Sequence, residues 1–203
     1  VLVVSAMLLH PDVVVLMKRA GLVVTVLFTE SPYDDAQQLR IAALVDGCWT
    51  HERSSVAAFA AMTPRVGYLA HAWHPIIHAP APLDPTLPAH DVVFVGSGFS
   101  ERVEFFNRLA ALLPASVDVG LYGTWKNLGC SPAVMAWVRG AQVPNAMAAG
   151  LYRRAAIGLN LYRTTMGWGR NARRITHAES CNPRAFELAA CGVFHLSEPR
   201  AEV

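Results

Sequence analysis

The sequence predicts an α/β protein made of two units with parallel sheets joined by a proline-rich connector. Three observations predict it. Short runs rich in Val, Leu and Phe alternate with helical patterns; the runs have almost no polar alternation; and the rhythm breaks once, at residues 71–90, before resuming. Strands without polar alternation are buried on both faces, as a parallel sheet covered by helices requires.

The first series runs from VLVVS (1–5) through a helix near 11–20, closed by Gly21, to LVVTVLF (22–28). A helix near 34–43, the strand GCWTH (47–51), a helix near 52–62 and the strand RVGYLA (65–70) follow. Residues 71–90 then carry prolines at 75, 80, 82, 85 and 88, which block both helix and central strand. The second series comprises DVVFVG (91–96), a helix over 100–113, VDVGLYG (117–123) and an irregular stretch. It continues with a helix over 144–155, AIGLNLY (156–162), a long loop, a helix over 183–191 and VFHL (193–196). Two Rossmann-like units result, with residues 1–78 in the first, 79–90 as linker and 91–203 in the second.

Of the 203 residues, 53% are hydrophobic and 16% charged, which suits globular domains with sizeable cores. A net charge of +2 gives no broad field for nucleic acid or an anionic membrane, so an anion is expected at a local site. Lys18 and Arg19 interrupt the first apolar stretch before it reaches the roughly 18 to 20 residues that span a bilayer. Residues 1–16 lack the basic and small-residue features of a signal peptide. Cys48, Cys130, Cys181 and Cys191 are widely spaced beside apolar residues, which suits reduced thiols and a cytoplasmic location. The chain opens without methionine directly in a strand, and reads as an internal segment in which both domains are incomplete.

The stretch HAESCNPRAFELAACGVFHL (177–196) carries the clearest chemistry. Asn182 can cap a helix, Pro183 fits its first position and Gly192 ends it, while Phe186, Ala189 and Ala190 form the expected packed stripe. Free N–H groups in the first turn would favour an anion such as a diphosphate. Glu187, one turn further in, can accept from paired hydroxyls like those of a ribose, and Glu179 can reach another part of the same ligand. The alternative is that Glu187 pairs with Arg184 on a solvated face and Glu179 is only a loop residue.

The loop Gly96-Ser97-Gly98 follows a strand and allows close backbone approach to a phosphate or sugar. It does not complete a dinucleotide fingerprint, because Glu101 stands at the third glycine position and Asp118, the candidate ribose acid, begins the next strand. An ordinary strand-to-helix turn is the competing account. In the loop 163–179, Arg163, Arg170, Arg173 and Arg174 could complete a diphosphate site, or simply solubilise a surface loop. Arg102 joins Arg163 as a candidate nucleotide contact.

Histidines 71, 74 and 78 superficially match metal-ligand spacing, but Pro75 disfavours helix before it; packing between domains is the expected role. In FTESPYDD (28–35), Glu30, Asp34 and Asp35 could line an acceptor site, and at least one aspartate is expected to cap the next helix. His10, at another strand-to-helix turn, is a weak candidate general base.

Glu179-x7-Glu187 within ESCNPRAFELAACG, preceded by LYRRAAIGLNLYR, resembles the C-terminal domain of GT-B glycosyltransferases, and most closely the CgeB-type spore-maturation group. VDGCWTHERSSVAAF, VGYLAHAWHP and DVVFVGSGFSERVEFF are similar to the stretch of that group crossing from the N-terminal into the C-terminal domain. The resemblance implies a GT-B fold and transfer of a sugar from a nucleoside-diphosphate donor to an acceptor of unspecified class: glycan, protein or small molecule. It implies that Glu187 contacts the ribose and Glu179 the donor sugar. The backbone of Asn182, Pro183 and Arg184 would receive the diphosphate, flanked by Gly96, Ser97 and Gly98. Neither metal nor resident cofactor is implied, since helix dipole and basic residues stabilise the leaving diphosphate. Two rivals share the architecture: a nucleotide-sugar epimerase, and a binding protein without turnover.

Overall fold

A computed structural model describes residues 1–125, 129–166 and 173–202. It is α/β, with a four-stranded and a five-stranded sheet whose long pairings are all parallel, as in the Rossmann-like halves of GT-B proteins. The chain divides into two compact units: Val1–His71 with Arg174–Cys181 and Arg200–Val203, and Ala72–Arg173 with Asn182–Pro199. The last third of the sequence therefore serves both units in turn.

In the first unit, β1 (Leu2–Val4), β2 (Thr25–Phe28), β3 (Gly47–Thr50) and β4 (Val66–Tyr68) lie in sequence order. The connecting segments α1 (Pro11–Arg19), α2 (Asp35–Ala42), a 3₁₀ turn at Arg53–Ser55 and α3 (Val56–Ala60) supply the helices of parallel crossovers. Val14, Val26, Ile41, Cys48 and Phe59 are fully buried there, and Phe28 stacks on Phe59 at 4.9 Å between centroids. The helix expected over 52–62 is broken at its start. Glu52 accepts from the N–H and the hydroxyl of Ser54, at 3.0 and 2.8 Å, and holds the first turn in the tighter 3₁₀ form.

The second unit orders its strands β11-β8-β5-β6-β7, where β5 is Val92–Val95, β6 Val119–Tyr122, β7 Val138–Gly140, β8 Ile157–Asn160 and β11 Phe194–Ser197. The two-residue strands β9 (Thr165–Met166) and β10 (Arg173–Arg174) lie between β8 and β11 in the chain. The chain starts mid-sheet, winds out to β7, then crosses to β8, so the direction of winding reverses between β5 and β8. Outside the carboxyl ends of such strands is where open α/β sheets bind ligands. Alternate β5 residues feed two cores: Phe94 packs with Val103, Phe106 and Leu121, and Val93 with Ala149, Leu151 and Leu188. Helices α4 (Ser100–Ala110) and α6 (Asn145–Arg154) contribute to the first and second of these, and α7 (Pro183–Ala190) to the second.

Three sequence expectations require correction. The stretch after β6 is not irregular throughout, since α5 (Pro132–Trp137) and β7 form within it. Ser131 accepts from Val134 N–H and Pro132 opens the helix, a start signal hidden because α5 runs straight into β7 with no turn residue between. The packed side of α7 is Leu188 and Cys191, while Ala189 is exposed and Phe186 only half-buried. A helix crossing a strand at its middle buries its largest well-placed side chain, and leucine outweighs the alanines. Finally, the edge strands are not covered on both faces: Leu2, Val4, Phe194 and Leu196 are more than half exposed.

Among the described residues no helix is long and apolar enough to cross a membrane. The four cysteines are free thiols. Burial pushes the Cys48 thiol up to about 11 and raises Cys130 and Cys191 as well, which disfavours their thiolates.

Candidate functional site

The carboxyl edge of the second sheet is built from the ends of β5, β6 and β7 and the loops that leave them. Backbone packs on backbone here. Gly123 has φ +133°, and a Cβ on it would lie 2.3 Å from Gly96 O; a Cβ on Gly98 would lie 2.6 Å from the Trp125 ring. Within the expected phosphate loop, Gly98 is thus required by its neighbour Trp125, while a Cβ on Gly96 would meet the end of the Arg184 side chain at 2.5 Å. Beside them opens a cavity of about 340 Å³ lined by Val95, Gly96, Ser97, Tyr122, Gly123 and Thr124, with residues 141–143 completing its wall.

Two arginines close the carbonyls of this edge. Arg102, 6% exposed, donates from Nη1 to Ser97 O and from Nη2 to Leu161 O, both at 2.9 Å. Arg184 donates from Nε to Val95 O at 2.8 Å and from Nη1 to Leu161 O at 3.5 Å. Both guanidinium groups lie over the Phe94 ring, Arg184 at 4.5 Å and Arg102 at 5.3 Å, and Arg102 also faces Phe99. Arg163 lies 4.6 Å from the Phe99 centroid and donates from Nε to Thr165 O at 2.7 Å. Cationic groups are thereby fixed at the end of β5 by packing and hydrogen bonds to the protein itself. Arg170 lies outside the described residues, and Arg174 is exposed.

At the start of α7, Asn182 Oδ1 accepts from Ala185 N–H at 3.2 Å. Pro183 has no N–H and that of Ala185 is capped, which narrows the set of first-turn amides available to an anion. Glu187 sits one turn in, half-buried, and makes no ion pair among the described residues, so the pairing with Arg184 does not form. Behind burial, its charge raises the Tyr152 and Cys191 pKa values slightly. Burial pushes the Tyr152 phenol up to about 12, with Arg184 opposing the rise and Glu187 adding to it.

Glu179 lies in the first unit, with its side chain exposed. Its N–H donates to Glu52 Oε1 at 3.0 Å and its carbonyl accepts from Glu202 N–H at 3.2 Å. The motif glutamates therefore belong to different compact units, a division that their spacing of eight gives no hint of.

The remaining candidates serve local roles. His10 Nδ1 caps α1 by accepting from Asp12 N–H. Asp34 stands at the N-cap of α2 without a side-chain cap bond, and Asp35 accepts from Ser55 Oγ at 2.6 Å, so neither caps as expected. Asp118 bonds His90 at 2.6 Å and Arg139 at 3.1 Å, at the opposite, amino edge of the sheet. The linker histidines do three different things. His71 stacks on His51 at 4.0 Å, His74 Nδ1 accepts from the amides of Ile76 and Ile77, and buried His78 accepts from His74 N–H. No cluster of three or more metal-ligating groups occurs among the described residues.

Sequence reasoning missed Glu52 and Glu202 altogether. Their partners lie 127 and 21 residues away, and no local pattern marks either.

No curated protein matches the chain in a sequence comparison. The model of the glycosyl transferase-like family matches residues 100–203, which takes in the helix after the glycine loop, Arg102, Arg163 and Arg184, and both motif glutamates. The chain belongs to the glycosyl transferase-like family.

Proposed function

We propose that this glycosyltransferase is of the CgeB type and moves a sugar from a nucleoside-diphosphate donor to a hydroxylated acceptor, without a metal ion. The observation that carries the reading is the carboxyl edge of the second sheet. Its strand-end carbonyls are capped by Arg102 and Arg184, and a cavity of about 340 Å³ opens beside them. Capping removes partial negative charge from the edge and leaves fixed cationic groups, the environment a diphosphate needs.

In the reaction the bond from the anomeric carbon to the diphosphate oxygen breaks as a bond to the acceptor oxygen forms, and the acceptor's proton leaves to a base. The diphosphate departs with added charge. Arg163, Arg184 and the first turn of α7 stabilise that charge, Glu187 holds the ribose hydroxyls, and Glu179 contacts the donor sugar. Gly96 to Gly98 let the ligand approach the end of β5.

The test is a thermal-shift panel of UDP, GDP, dTDP, ADP and NAD on the full-length protein and on Glu187→Ala. One nucleoside diphosphate at 100 times its Kd should stabilise the wild type by about 2.7 kcal/mol, and the shift should vanish in Glu187→Ala. A shift with NAD alone, or with none of the five, would overturn the donor reading.

A further inference from the structure

The segment that carries Glu179 is held along its whole backbone. Arg200 Nη1 donates to Ala178 O at 2.5 Å, and Glu52 Oε1 accepts from Glu179 N–H. Glu202 N–H donates to Glu179 O. Glu52 Oε2 accepts from Ser180 N–H at 3.3 Å, Ser180 Oγ accepts from Arg53 N–H at 3.0 Å, and Glu202 Oε2 accepts from Cys181 N–H at 2.7 Å. Each residue from 178 to 181 is thus tied by at least one backbone group, while the Glu179 side chain stays exposed.

Glu52 is the centre of this arrangement. It is 3% exposed, forms no ion pair among the described residues, and is met by four donors: three amides and the Ser54 hydroxyl. Burying a carboxylate without a cation is costly, and a neutral side chain could cap the 3₁₀ turn at Arg53–Ser55 as well. What a carboxylate adds is two oxygens that accept in several directions at once, so one side chain fixes the turn after β3 and two consecutive amides of the 178–181 segment together. Glu202 repeats the device from the other side, accepting from the Tyr68 hydroxyl at the end of β4 and from Cys181.

We propose that Glu52 is a positioning residue for Glu179: its buried carboxylate, seconded by Glu202, presets the backbone from which the Glu179 side chain meets the donor sugar. The inference rests on the donor reading above. A preset backbone spares the ordering that a loose loop would undergo on binding, and it limits the arc the Glu179 carboxylate can sweep. Its consequence is confined to the sugar, because on the donor reading Glu179 contacts the sugar and not the nucleoside diphosphate.

The test is calorimetric binding of the full-length protein to the nucleoside diphosphate identified by the panel and to its common sugar conjugates, such as UDP-glucose and UDP-N-acetylglucosamine for UDP. Glu52→Gln should leave affinity for the nucleoside diphosphate within about twofold and weaken the best sugar conjugate roughly tenfold, and Glu179→Ala should do the same. Glu187→Ala should weaken both ligands together. If Glu52→Gln fails to fold, Glu202→Gln and Ser180→Ala, each removing one tie, should give the same selective loss in smaller degree. Equal weakening of both ligands would show a merely structural role and overturn the inference, and so would no weakening of either. If no nucleoside diphosphate binds the wild type, the donor reading itself fails and this inference falls with it.

Discussion

The two units finish the carboxyl edges of their sheets with side chains of opposite charge. In the first, Glu52 and Glu202 collect backbone N–H groups after β3 and along residues 179–181. In the second, Arg102 and Arg184 collect the carbonyls of Val95, Ser97 and Leu161. The contrast is drawn at the end of β5 and along residues 179–181; elsewhere Arg200 takes the Ala178 carbonyl in the first unit, and Glu101 and Glu198 take the Thr164 and Tyr162 amides in the second. Guanidinium groups that consume carbonyls leave the end of β5 rich in positive charge, suited to an anion. The two places thereby differ in which backbone group is hidden.

The largest effect expected from breaking this contrast is at Gly123. With φ +133° and Gly96 O at 2.3 Å from a Cβ, Gly123→Ala must displace one of the two loops that frame the cavity. It should cost about 3–5 kcal/mol in urea unfolding and abolish nucleotide-dependent thermal shifts. A variant of wild-type stability that still binds would mean the two loops are not mutually required.

Next in size is a crossed pair. Arg102→Met removes the side-chain donor to the Ser97 carbonyl, which keeps the Phe99 N–H, and weakens the hold on Leu161, and should cost about 1–3 kcal/mol. Glu52→Ala orphans three amides and should cost about 2–3 kcal/mol. Peptide-resolved hydrogen exchange separates them: Arg102→Met should expose residues 95–103 and spare 50–56, and Glu52→Ala the reverse plus 178–181. Loss of protection across both regions in either variant would show that the edges are one cooperative element.

Much of the second edge was legible in the sequence, and little of the first. The strand, glycine loop and helix over 91–113 and the capped helix at 183 are local signals, because each element's start and stop lie within a few residues of its core pattern. The outermost strands β1 and β11 are less legible: their apolar runs read as buried on both sides, yet Leu2, Val4, Phe194 and Leu196 are exposed in this chain. Spacing singles out Glu179 and Glu187, but it cannot show that they lie in different units. Residues 179–181 are held within the first unit by Glu52 and Glu202, through bonds that span 127, 128 and 21 positions of sequence. Arg102 and Arg184 are candidates in the sequence only as nucleotide contacts; their capture of carbonyls appears only once β5 and β8 are side by side.

Acid should separate the units by smaller amounts, and the signs differ in where they act. Burial pushes the His71 imidazole down to about 4, helped by stacked His51 and opposed by Glu202. In the unfolded chain a histidine takes its proton near pH 6.5. The unfolded state therefore binds more protons than the folded one between those values, so the stability from neutral His71 is present above about 6.5 and is lost as pH falls toward 4. After allowance for partial exposure the loss is about 1–2 kcal/mol. Asp118 behaves differently. Hydrogen bonding from His90, then the charges of His90 and Arg139, lower its carboxyl against a smaller rise from desolvation. Its contribution is present above about pH 4 and lost only as pH falls through the lower folded value; at 45% side-chain exposure it is less than about 1 kcal/mol. Urea unfolding at pH 7, 5.5 and 4.5 should thus show a decline that His71→Phe flattens and Asp118→Asn leaves intact. A decline that survives in His71→Phe would place the titrating group elsewhere and remove the distinction in acid response between the two units.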